Sequence, residues 1–144
     1  MKKMLLSALV IATLAIAPAV ADVIINSEQL PQPAQAFLQK NFASNKVLTA
    51  LHDNDISDND YTVVLNNGVK VEFDRNGEWE SIKVKGVALP SGIIPEAIQH
   101  YVAQRFGNVA IEKVERKRYG YEVELANDLE LKFDANGKFL RMDD

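Results

Sequence analysis

The sequence predicts an α+β fold built as a tandem repeat, each unit one helix followed by a four-stranded antiparallel sheet, with the helices covering one sheet face. Three observations predict it. Residues 61–82 return as residues 121–142 at an offset of sixty, with Tyr61, Val63, Leu65, Asn67, Phe73, Asp74, Asn76 and Gly77 matched by Tyr121, Val123, Leu125, Asn127, Phe133, Asp134, Asn136 and Gly137. Identities at that density mark an internal duplication. Within each copy the apolar residues alternate with period two, the pattern of half-buried strands. Ahead of each copy, a proline opens a stretch whose apolar residues recur at helical spacing.

Taken in order, residues 1–21 read as an export signal rather than as part of the fold. Lys2 and Lys3 precede an apolar run, and Ala19-Val20-Ala21 is a small-x-small cleavage site before Asp22. That run is too short to span a bilayer. The chain has no cysteine, which excludes lipidation at the cleavage site, disulfides and thiolate metal ligands. Its formal charge is −4, and the leader contributes two lysines and no acid to it. An acidic product does not suit nucleic acid or anionic lipid. The expectation is a soluble, unlipidated periplasmic protein.

Residues 22–88 form the first expected unit. Leu30-Pro31 starts its helix, because proline is suited to a first turn whose N–H has no partner; Ala34, Phe37, Leu38 and Phe42 make the apolar stripe. Residues 45–52 read as a first strand, with Val47, Thr49 and Leu51 on one face. The repeated meander follows, with Asn67-Gly68 a hairpin turn in which both residues can take positive φ. Asp74-Arg75-Asn76-Gly77 closes the next strand with Asp, Asn and Gly, the residues such turns require.

Residues 89–144 repeat the programme as the second unit, packed with the first as one compact body in which the halves share a single hydrophobic core or a continuous sheet. Leu89-Pro90-Ser91-Gly92 is the punctuation. Ile94, Ile98, Tyr101, Val102 and Phe106 make the second stripe, ended by Gly107 as a left-handed residue. Residues 109–117 are the strand that leads, through Tyr119-Gly120, into the second meander. Asn127-Asp128 replaces Asn67-Gly68 and still accepts the turn geometry.

These motifs, LPxxAxxFxxxxF, then YxVxLxNGxxVEFDxxGxW, then YxVxLxxxxELxFDxxGxF, resemble the PepSY-like family of small periplasmic proteins, related in fold to β-lactamase-inhibitor protein. The resemblance covers residues 30–142. It implies a tandem of helix-plus-four-strand units with a combined sheet whose open face can be concave, and it implies no catalysis.

The residues themselves also argue against an enzyme. His52 and His100 are the only histidines, and neither lies in a hydrolase or phosphate-loop motif. Two binding readings follow. In the first, a protein or peptide docks on the sheet face the helices leave open, through Val64, Lys70, Trp79, Lys83, Glu124, Lys132, Phe139 and Arg141. Simple alternation puts Trp79 and Phe139 on that face, where aromatics and Arg anchor interfaces; a bulge after each turn would instead return both rings to the core. In the second, Asp53, Asp55, Asp58 and Asp60 offer oxygens to calcium or mark a small-ligand response. That run lacks the Gly and Glu of an EF-hand loop, and a solvated acidic loop is its plainer reading. No other cofactor is expected.

Overall fold

A computed structural model of the chain describes residues 22–55 and 60–144. The expected leader and residues 56–59 lie outside the described residues. The elements run β1 (Val23–Ile25), a 3-10 turn (Ser27–Gln29), α1 (Gln32–Asn41), β2 (Val47–His52), β3 (Tyr61–Leu65), β4 (Lys70–Phe73) and β5 (Trp79–Lys83). Then come α2 (Glu96–Phe106), β6 (Ile111–Arg116), β7 (Gly120–Leu125), β8 (Glu130–Asp134) and β9 (Phe139–Asp143).

The expected tandem of helix-plus-four-stranded sheets is overturned. Among the described residues all strands join one nine-stranded antiparallel sheet in the order β1 to β9, and with only two short α-helices there the fold is mostly β. The reason is the edge that a four-stranded sheet would leave at β5. Unpaired N–H and C=O groups there would need another partner. Instead Ser81, Ile82 and Lys83 pair with Glu115, Val114 and Lys113 of β6. Val84 N–H adds a bond to Glu112 O at 2.8 Å. Ile82 and Val114, opposite one another, are both fully buried, which contributes on the order of 1.5–3 kcal/mol for each side chain. The ninth strand comes from the N-terminal lead, where Ile25 pairs with Ala50 and Ile24 with Leu51.

Both helices pack on one face of the sheet. Ala34 and Leu38 of α1 and Ile98 and Val102 of α2 are buried, in one continuous core with Val63, Leu65, Val71, Phe73, Val123, Leu125, Leu131 and Phe133. Phe37 of α1 meets Phe73 edge-on at 5.7 Å. Tyr101 of α2 meets Phe133 in the same way at 5.5 Å.

The meander turns use three residues rather than two. Leu65 N–H bonds Val69 O at 2.8 Å and Gly68 N–H bonds Leu65 O at 3.0 Å. The loop is therefore Asn66-Asn67-Gly68, and of Asn67 and Gly68 only Gly68 has positive φ, at 87°. The second copy closes identically, with Asp128 at φ 67° in the glycine's place. Gly77 and Gly137 both sit at φ 85°. In both copies the preceding aspartate, Asp74 or Asp134, accepts backbone N–H bonds through Oδ1 from residues two and four ahead. Gly77 also lies against α1: a Cβ there would come 2.8 Å from Pro31 Cβ.

The turn is followed by the feature that simple alternation cannot foresee. The register of β4 and β5 shifts between Glu72 and Phe73, so that Phe73 faces Trp79 while Glu72 faces Ser81. Glu80 is the extra residue. The same shift on β8 and β9 pairs Phe133 with Phe139 and makes Leu140 the extra residue. A bulge reverses the facing of everything before it. Trp79 and Phe139 thus turn to the helix side, correcting their expected placement on the open face.

Candidate binding face

Among the described residues no helix covers the other side of the sheet, where apolar, hydroxyl and charged side chains stand in two rows. One row crosses all nine strands: Ile24, Leu51, Thr62, Glu72, Ser81, Glu115, Glu122, Lys132 and Arg141, each directly opposite the next. The other runs Thr49, Val64, Lys70, Lys83, Lys113, Glu124, Glu130 and Asp143. Strand alternation produces both, because β3, β4, β7 and β8 bury alternate residues under the helices. Of the eight residues expected on this face, Val64, Lys70, Lys83, Glu124, Lys132 and Arg141 are there.

Trp79 and Phe139 are elsewhere. Trp79 is 6% exposed, tilted against Phe37 at 6.4 Å and stacked on Tyr121 at 6.2 Å. Phe139 stacks on Tyr101 of α2 at 4.7 Å. Thr49 and Leu51 of β2 lie on this face, whereas a register shift before Thr49 turns Val47, expected beside them, to the helix side opposite Leu65. Lys113 and Glu115 on β6 are face residues outside the expected set. Apolar Val114 between charged Lys113 and Glu115 was the available signal.

Charge on the face is segregated. In the second row, Lys70, Lys83 and Lys113 stand opposite one another on β4, β5 and β6, and Glu124, Glu130 and Asp143 follow on β7, β8 and β9. Like charges directly across a sheet repel. Two of the lysines are relieved by neighbours along their own strands: Lys70 reaches Glu72 at 3.0 Å, and Lys113 reaches Glu115 at 2.7 Å. Lys83 sits between them with no ion pair among the described residues.

Glu115 is shared, since Lys117 also reaches it at 2.7 Å. Burial pushes its carboxyl up, but the hydrogen bonds from Lys113 and Lys117 prevail and hold it below the ordinary value. The same bonds to Glu115 raise Lys113 and Lys117. At the acidic end the Glu130 carboxyl is raised, chiefly by its hydrogen bond with Glu122 and then by burial. Tyr119 O–H donates to Glu122 at 3.0 Å; burial first, then that bond, push the phenol up to about 12. Lys132 lies 3.3 Å from Asp143, and Arg141 3.6 Å.

The other proposed ligands are placed differently. In the acidic segment, Asp55 N–H donates to Asp53 Oδ1 at 3.0 Å and Asp53 N–H to Asp60 O at 2.9 Å. Asp58 lies outside the described residues. Among the described residues no three metal-ligating side chains converge. His52 stacks on Tyr61 at 4.3 Å, and His100 is exposed on α2. No helix among the described residues is long and apolar enough to cross a membrane.

Comparison with known proteins agrees with this architecture. The family model "Putative beta-lactamase-inhibitor-like, PepSY-like" matches residues 59–141. A "putative calcium-regulated periplasmic protein" from Bacteroides thetaiotaomicron is 40% identical in sequence, with TM-score 0.80 over 85% of this chain and 97% of its own. Two "putative periplasmic" proteins from Bacteroides vulgatus are also similar. One is 39% identical with TM-score 0.76, covering 85% of this chain and 97% of that one. The other is 36% identical with TM-score 0.78, covering 86% and 100%. No curated protein matches the chain. With the family's motifs carried on the matched strands and solved relatives aligned over nearly their whole length, this chain is a member of the PepSY-like family.

Proposed function

We propose that the protein is a non-enzymatic periplasmic binding or inhibitory module that takes a protein or peptide on the helix-free face of its sheet. One observation carries the reading. Lys70, Lys83 and Lys113 form a like-charged row at the centre of an otherwise acidic chain, and the middle lysine has no ion pair among the described residues. An acidic group laid across that row would relieve the repulsion. Thr62, Val64 and Leu51 beside it offer a less polar shelf for the rest of the partner. The similar solved proteins are named periplasmic, which supports the compartment.

The test is affinity capture from a periplasmic extract with wild type and the Lys83→Glu, Lys113→Glu double variant. The reading expects partners that wild type retains and the double variant loses, with both proteins equally folded by circular dichroism. Equal recovery of every partner removes this face from consideration.

A second reading is favoured by the name of one relative, "calcium-regulated". Calcium would engage the carboxylates of Asp53, Asp55, Asp58 and Asp60, an oxygen-rich set suited to a hard cation. Calorimetry decides it: heat of binding that disappears in Asp55→Asn plus Asp60→Asn supports the reading. No heat at millimolar calcium ends it.

A further inference from the structure

The β9 edge carries an inference independent of the open-face reading. Its counterpart in the first half, β5, has the same bulge and is covered by β6, which leaves Ile82 fully buried. Among the described residues no strand lies outside β9. Met142, facing Leu131 as Ile82 faces Val71, is 50% exposed, and Leu140 is 49% exposed.

The backbone of this edge is also poised to pair. Leu125 N–H bonds Leu129 O at 2.9 Å, and the register continues to Val123 opposite Leu131. Hydrogen-bonded and non-bonded pairs alternate along antiparallel strands, so Leu131 directs its backbone groups to β7. Met142, opposite Leu131 on the other side, directs its N–H and C=O outward.

We propose that β9 pairs antiparallel with β9 of a second copy of this chain, about a two-fold axis at Met142. Charge selects that register. With Met142 opposite the second copy's Met142, each Arg141 faces the other copy's Asp143 on the open side. Shifting the axis to Arg141 opposes two arginines, and shifting it to Asp143 opposes two aspartates. Both are repulsive arrangements for directly facing residues. In the selected register the two methionines meet on the helix side, as Ile82 meets Val114 within the chain. The two open faces then continue into one another, and Lys132 and Glu130, the near neighbours of Arg141 and Asp143 on β8, extend the alternating charges. An isologous contact of this kind closes at two copies. Its small area makes it weak and dependent on concentration.

Sedimentation velocity from micromolar to millimolar protein tests this. Wild type is expected to pass reversibly from monomer to dimer as concentration rises. Met142→Pro removes an outward N–H that makes no bond to β8, and is expected to abolish the dimer while the melting temperature stays near that of wild type. Arg141→Asp is expected to weaken the dimer at least tenfold, and Arg141→Asp with Asp143→Arg to restore it. A monomer across the whole range, growth beyond the dimer, or a double variant no better than Arg141→Asp alone would each overturn the proposal.

Discussion

The indole of Trp79 stacks on the ring of Tyr121 at 6.2 Å with 25° between their planes. Trp79 begins β5 and Tyr121 lies in β7, so the contact reaches across β6 and ties the two halves together. Arg116 of β6 lies over the same indole at 5.0 Å and reaches Glu78 at 3.6 Å. The residue that simple alternation assigns to partner binding is thus a structural rivet, held there by the extra residue Glu80.

Trp79→Ala is therefore expected to destabilise the protein by about 3–5 kcal/mol, the range for emptying a buried aromatic site. Urea denaturation checks it. Trp79→Phe should recover much of the loss, since a ring can still meet Phe37 and Tyr121.

The same seam predicts how the chain unfolds. Val71, Ile82, Val114 and Val123 form one buried row running from β4 to β7, so the two halves are expected to unfold in a single transition. Cutting between Leu89 and Pro90 should leave fragments that are each unstable, because so short a chain buries too little surface. Calorimetry and amide dispersion of the separate fragments measure this. A cooperative transition in either fragment alone would show that the halves are independent.

Gly120 supplies a sharper local test. At φ 150°, a Cβ on this residue would run into the backbone of Phe133 and Asp134, whereas one on Gly86 would meet nothing within 4 Å. Both positions have positive φ and both alanine variants carry that strain. Gly86→Ala is expected to cost about 1 kcal/mol, the scale of an unfavourable backbone conformation. Gly120→Ala should cost several times as much, because backbone cannot move aside as a flexible side chain can. Midpoints of chemical denaturation compare the two directly.

Glu115 gives stability a defined pH dependence. Its carboxyl is held below 4.5 in the folded protein, so its contribution is present above the unfolded value and disappears as pH falls through the folded one. Lys113 and Lys117 are raised above 10.5, so theirs is present below that value and disappears as pH rises through the folded ones. Glu115→Gln should accordingly lower the denaturation midpoint near neutral pH. The gap from wild type should narrow both in acid, below the usual carboxylate range, and in strong base.

Much of the strand pattern was legible because alternation is local: Val63, Leu65, Val71 and Phe73 declare their face within a few residues, as do Val123, Leu125, Leu131 and Phe133. The helical stripes were legible for the same reason. The bulges were legible only as an alternative to simple alternation, since a single extra residue such as Glu80 or Leu140 leaves no mark in composition yet inverts the facing of its neighbour. The continuous sheet was legible only as an alternative to a shared core, from the short join at residues 89–92. Pairing of Ile82 with Val114 depends on where α2 returns the chain, a long-range matter that neither segment encodes alone. Six of the eight expected face residues followed from alternation. Apolar Val114 marks the facing of Lys113, but its place in the basic row depends on β5 pairing with β6.

The most direct measurement for the open-face reading is photo-crosslinking in living cells, with a photoreactive residue at Lys83 on the helix-free face or at Gln39, exposed on α1. The account predicts a discrete protein or peptide adduct from position 83 and none from position 39, with the adduct reduced when Lys113→Glu is added. Adducts from position 39 alone, or from neither position, would contradict it.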